Sequence, residues 1–224
     1  MKKTTHKYAM SYVMAAFISL LSMTACSEHE LENIDYGGGM LKVGNILLSN
    51  NTVTTPAKYR PAKEKDNAVG VIFYASKDTA YVVAKEELGP FSYADANTNI
   101  NSVSTSVSLL NGKANTAALL ADTKTNTPAA QAATAYDGVV TGWYLPSVAE
   151  LKILSTYRNT VAASMALIGG DAFSDEQYAS STQDGTSTAN TEMYYYCVSL
   201  IKGYVTSNEK TNAARVRPVL MIHN

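Results

Sequence analysis

Short runs of alternating apolar and polar residues occupy the first and last parts of the chain, with alanine-rich stretches between them. Residues 42–54 alternate loosely: Val43, Ile46, Leu48 and Val53 sit among polar residues, and Asn50-Asn51 falls where the chain must turn. Asparagine tolerates positive φ, so this spacing predicts a hairpin of short strands. Residues 56–67 are polar and charged and read as a loop. Residues 69–74 and 80–84 are β-branched and aromatic runs on either side of Ser76-Lys77-Asp78, which predicts a second hairpin. Residues 86–111 lack a strong period and read mostly as loop.

Helical composition follows at 114–121 and again at 128–136, where Thr127 can cap and Pro128 suits the first helical position. Ser147 and Glu150 form an S-x-x-E capping box, so a helix is expected from Val148 to about Arg158, burying Leu151 and Leu154. After Gly169-Gly170 the pattern returns to strands at 194–201, 203–206 and 215–222. Strands, then helices, then strands, without an internal repeat, argue an α+β domain whose first and last strands meet in one sheet.

The chain begins differently. Lys2, Lys3 and Lys7 precede an apolar run from about Met14 to Leu21 and the exit Ser22-Met23-Thr24-Ala25-Cys26. That is the layout of a secretory signal, too short for a comfortable span. The exit resembles a bacterial lipobox, which implies cleavage after residue 25 and diacylglyceryl attachment at the Cys26 thiol. Acyl chains contribute about 0.8 kcal/mol per buried methylene, enough for a stable membrane anchor without a transmembrane helix. Residues 26–40 are acidic and end in Gly37-Gly38-Gly39, the composition of a solvated tether. The stretch after Cys26 also resembles the acidic signal that directs lipoproteins of some Gram-negative bacteria to the exposed face of the outer membrane. The organisation expected is a signal at 1–25, a tether at 26–40 and one domain at 41–224.

The composition of 224 residues, with 18 basic against 19 acidic side chains, excludes a basic nucleic-acid binder. Loss of residues 1–25 would remove three lysines and no acids, leaving 15 basic against 19 acidic residues. With 15 Tyr against 4 Phe and 1 Trp, the aromatic inventory suits a surface both wet and adhesive.

At Gly142-Trp143-Tyr144-Leu145-Pro146-Ser147-x-x-Glu150-Leu151 the chain resembles bacterial surface lipoproteins and adhesin tails carrying a C-type-lectin-like domain, akin to the C-terminal domain of bacterial collagen-like adhesins. The resemblance extends to Val43-Gly44-Asn45-Ile46-Leu47, Gly70-Val71-Ile72-Phe73-Tyr74, Asn111-Gly112-x-x-Asn115-Thr116, Tyr178-Ala179-Ser180-Ser181-Thr182 and Arg215-Val216-Arg217-Pro218-Val219. Ala179 stands where the family has Trp, and Asn45 where it has Asp. The resemblance implies the C-type-lectin-like fold, two main helices flanking a twisted antiparallel sheet with a loop-rich face. Physically, Trp143 reads as core, Pro146 and Ser147 as the helix entry, and Arg215 or Arg217 as partner to a carboxylate or loop carbonyls.

The tail is the candidate ligand-binding surface. With Tyr196, Val198 and Leu200 facing the core, alternation places Tyr195, Cys197 and Ser199 on the opposite, exposed face, and Tyr204, Thr206 and Asn208 continue it towards Thr211 and Asn212. In related domains this segment is often Asn-rich and in some is diversified. Nothing in the chain suggests catalysis: no G-x-S-x-G, H-E-x-x-H or phosphate loop is present, and two histidines remain after the signal. Asp171, Asp175, Glu176 and Asp184 read as a solvated acidic loop in preference to a calcium site. The function expected is a non-catalytic, adhesin-like module binding a glycan or protein, without cofactor or metal; the alternative is an accessory component of a surface fibre or outer-membrane complex.

Overall fold

The computed structural model describes residues 40–136 and 139–223, an α+β arrangement with ten strands and six helices among those residues. Cys26, the signal and nearly all of the tether lie outside them. The elements are β1 (Ile46–Leu48), β2 (Val53–Thr54), α1 (Pro61–Glu64), β3 (Ala68–Ala75), β4 (Thr79–Ala84) and β5 (Leu88–Ser92). There follow α2 (Gly112–Ala121), α3 (Pro128–Thr134), α4 (Val148–Thr156) and α5 (Arg158–Leu167), then β6 (Gln177–Gln183), α6 (Thr188–Met193), β7 (Tyr194–Ser199), β8 (Val205–Glu209), β9 (Ala213–Val216) and β10 (Val219–His223).

Two five-stranded sheets form, in the orders β10-β4-β3-β1-β2 and β5-β9-β6-β7-β8. The first is antiparallel throughout, and its last strand pairs with β4, so the two ends of the domain meet in one sheet as expected. In the second, only the β6–β9 contact is parallel, through the single pair Tyr178↔Arg215. The Asn50-Asn51 turn carries its positive φ at Asn51, +62°, while the Asn50 side chain accepts from the Thr52 N–H at 3.1 Å.

Several expectations need correction. The segment 86–111 is not all loop, because it contains β5. The final strand expected at 215–222 is two strands in different sheets, broken at Arg217-Pro218, where proline has no N–H to give a ladder. The β4–β5 segment crosses between the sheets at Lys85–Glu87, directly opposite. The buried Arg217 guanidinium fastens both crossings: Nε donates to the Ala84 carbonyl at 2.9 Å, and Nη2 to Lys85 and Asp171 carbonyls at 3.1 and 3.0 Å. It also lies over the Phe173 ring, 5.2 Å from the centroid.

The residues of the G-W-Y-L-P-S motif occupy the junction between helices and sheets. Ser147 caps α4 by accepting from the Glu150 N–H at 3.3 Å, and Glu150 returns the bond from the Ser147 N–H at 2.9 Å. Glu150 also accepts from the Gly112 N–H at 3.2 Å, starting α2 from the same carboxyl. A Cβ on Gly112 would lie 2.4 Å from Glu150 Oε2 and 2.6 Å from the Ser147 backbone nitrogen, which explains the glycine. The Thr116 hydroxyl donates to the Leu145 carbonyl and accepts its N–H, each at 3.0 Å. Tyr144 bridges β10 at Val219, the Ser181 N–H donates to the Pro146 carbonyl at 2.7 Å, and the Val148 N–H to Thr182 Oγ1 at 3.1 Å. Trp143 is buried, edge-on to Tyr136. Burial pushes the Glu150 carboxyl up to about 7 against the opposing pull of its two N–H donors.

Candidate functional site

The β7–β8 hairpin is built from both sides. Tyr196, Val198 and Leu200 pack into the core around α4, as expected, and the Ser155 hydroxyl ties down the hairpin loop at the Leu200 carbonyl, 2.9 Å away. The opposite face is not exposed. Tyr195 and Cys197 are fully buried in a second apolar cluster with Tyr93, Ala130, Ala133, Ala214 and Val216, and Ser199 is buried at the end of the strand. The expectation of a displayed Tyr195-Cys197-Ser199 face is therefore corrected. Tyr, Cys and Ser look polar in an alternating pattern, yet all three bury readily once a second layer supplies partners.

That layer is visible in detail. Tyr195 stacks on Tyr93 with ring centroids 4.6 Å apart, and its hydroxyl accepts from Asn208 Nδ2 at 3.2 Å. Burial pushes the Cys197 thiol up to about 12, far from thiolate chemistry. Among the described residues, Tyr204 is the one tyrosine that is exposed, at 45%, so the tyrosine-rich composition serves mainly the interior.

What opens to solvent is a groove of about 420 Å³ between β8 and β9. Thr206, Ser207 and Asn208 line one wall, Ala213 and Ala214 the other, with Pro90, Glu176 and Gln177 closing it. The Thr206 hydroxyl donates to Gln177 Oε1 at 2.9 Å, which leaves the Gln177 amide nitrogen as a donor at the groove. Glu176 is held by a two-pronged contact with Arg215, at 2.5 and 3.1 Å, and that hydrogen bonding keeps its carboxyl below the usual carboxylate value. The groove is thus close to neutral and mixed in character, with polar side chains on one wall and small apolar side chains on the other.

The structure brings Thr206 and Asn208 together at the groove, with Tyr195 and Cys197 directly behind them. Thr211 and Asn212 are exposed on the turn joining β8 to β9. Ser199 and Tyr204 lie at the other end of the hairpin. Gln177 and Pro90 carry no motif and come from distant segments, and Ala213, next to Asn212, is a small residue that no pattern singles out, so nothing in the sequence marks them.

Two further polar centres hold this region in place. Asp184 accepts from Ser207 Oγ at 2.5 Å, from Thr186 Oγ1 at 2.7 Å and from Tyr196 OH at 3.1 Å. Burial works against ionisation, yet these bonds outweigh it and hold the carboxyl below its ordinary value. Lys210, fully buried, donates to the Thr98 and Thr191 carbonyls at 2.6 and 2.7 Å and to the Gln183 side chain, with the Tyr93 ring alongside. Burial pushes its ammonium down to about 8, opposed by the charge of Glu192.

Asp171, Glu176 and Asp184 serve separate partners: Asp171 accepts the Glu87 N–H at 2.9 Å, Glu176 binds Arg215, and Asp184 ties Ser207. No group of three His, Cys, Asp or Glu side chains suited to a metal ion occurs among the described residues. No helix among them is long and apolar enough to cross a membrane. No family model matches the chain, and no curated protein matches its sequence.

Proposed function

We propose that this chain is a lipid-anchored surface protein of a Gram-negative outer membrane whose domain is C-type-lectin-like and acts as a non-catalytic, adhesin-like binding module. The observation that carries this reading is the groove where Thr206 and Asn208 of the tail meet Gln177. Amide and hydroxyl groups on a rigid strand framework, beside small apolar side chains, suit recognition of a neutral polar ligand, glycan or protein. The lectin-like assignment is supported by the placement of Ser147, Glu150, Gly112 and Thr116 at one junction of helices and sheets, as structural signatures of a family would be.

The test is binding of the mature protein to glycan arrays and host surface proteins, with Thr206→Ala and Asn208→Ala compared to the parent. Loss of binding in both supports the groove; unchanged binding moves the site elsewhere. Anchoring is tested separately: labelled palmitate should enter the parent and not Cys26→Ser, and the protein should partition with outer membranes.

A further inference from the structure

We propose that β8 takes up an extended peptide as a sixth strand of the second sheet, which makes the ligand of this surface a polypeptide segment; this rests on reading the β8–β9 groove as the binding site. The two sheets have four edges, and three carry a device against strand addition. β2 has only two residues. β5 contains Pro90 and a register shift between Leu88 and Pro90. β10 is bridged at Val219 by both backbone groups of Tyr144, at 2.9 and 3.0 Å. β8 has five residues, no proline and regular register throughout.

The direction of its free groups follows from the ladder. The Ser199 N–H donates to the Tyr204 carbonyl at 3.0 Å, and the Lys210 N–H to the Met193 carbonyl at 3.0 Å. With Cys197 opposite Thr206 and Tyr195 opposite Asn208, alternate pairing turns the backbone of Thr206 and Asn208 towards β7. The N–H and C=O of Val205 and Ser207, and the N–H of Glu209, therefore point away from the sheet. None of these five groups has a protein partner among the described residues, whereas the Glu209 carbonyl accepts the Asn212 N–H at 3.0 Å.

Donors and acceptors repeating every second residue, roughly 7 Å apart, match another strand's backbone. The hydroxyls of a sugar ring do not repeat on that spacing. Ser207 turns its side chain to Asp184, clear of the edge, and Thr206, Ser207 and Asn208 together line the groove, so the β8 strand is open to solvent along its length. Glu209 has no ion-pair partner among the described residues, so the favoured segment carries Lys or Arg opposite it.

The probe is a phage-displayed library of random decapeptides panned against the full-length protein, followed by the synthetic peptide of the enriched sequence. The expected result is enrichment of an alternating sequence whose binding slows amide exchange at Val205, Ser207 and Glu209. Ser207→Pro removes an outward N–H and no ladder bond, and should weaken the peptide at least about tenfold; Ser207→Ala, which loses the same hydroxyl, should hold it within about threefold. Should Ser207→Pro fail to fold, methylation of alternate peptide amides serves instead and should weaken binding equally. No enrichment, or peptides indifferent to Ser207→Pro or to amide methylation, overturns the proposal. Glycan binding that depends on Thr206 and Asn208 without any peptide binding overturns it while leaving the groove reading intact; absence of both kinds of binding removes both.

Discussion

The motif region and the tail hairpin solve opposite problems with the same kinds of residue. Around Ser147 and Glu150, hydroxyl, carboxyl and backbone groups close on one another: Glu150 alone receives two N–H groups from two helix starts, and Thr116 both gives to and takes from Leu145. In the hairpin, the side-chain layer is also well used, with Asp184 and Lys210 each holding three other residues, but the outer edge of β8 is left open. The polar residues of the G-W-Y-L-P-S motif are therefore used up in holding the fold together. The open backbone edge lies in the plainer segment, whereas the unpaired polar atoms of the motif region, Trp143 Nε1 and Tyr144 OH, are buried and out of reach of a ligand.

That contrast can be broken from either side. The largest effect is expected at Glu150→Ala, which strips two buried N–H groups of their acceptor and should cost about 3–4 kcal/mol in urea unfolding, without altering groove chemistry directly. Gly112→Ala should follow at about 2–3 kcal/mol, because its Cβ meets backbone at Ser147 and cannot be relieved by a side-chain rotation. A silent substitution at either position would mean that the motif region does not join helices to sheets.

Two pH dependences sharpen the comparison, and they have opposite signs. Glu150 titrates near 7 in the folded chain and near 4.5 unfolded, so the folded form holds a proton that the unfolded form has released. Stability should fall as pH rises from about 4.5 to 7, and Glu150→Gln should remove that slope. Lys210 titrates near 8 folded and 10.5 unfolded, so the unfolded form binds the extra proton between those values. Stability should therefore rise from pH 8 to 10.5, and Lys210→Met should flatten the curve; urea midpoints across the range read both. The smallest expected effect is that of Thr206→Ala, no more than about 1 kcal/mol by thermal melting, since its hydroxyl bond to Gln177 is partly exposed.

Legibility in the sequence tracked the range of the interactions. The capping box at Ser147 and Glu150 spans three residues and was readable directly, as were the turn at Asn50-Asn51 and the runs that became β3 and β4. The helix after Ser147 was readable at its start and less so at its end: it stops at Tyr157, and α5 resumes at Arg158. Harder still was β6, where Gln177–Gln183 shows no apolar alternation although it is buried: the Ser180 and Thr182 hydroxyls bond to backbone groups of β7 and α4. The buried face of β7 was hidden in the same way, its partners Tyr93 and Ala214 being remote in sequence. Of the candidate site, Thr206 and Asn208 were found by alternation, but the groove exists only because β9 and the start of β6 converge on them.

The crossing fastened by Arg217 has a consequence for how the domain comes apart. β4 with β10, and β5 with β9, form one continuous two-stranded ribbon that belongs to the first sheet at one end and to the second at the other. Neither sheet can melt while the other persists without tearing that ribbon at its bend, where a buried guanidinium spans three carbonyls. Heat or denaturant should therefore produce a single cooperative transition, with the two sheets losing protection together.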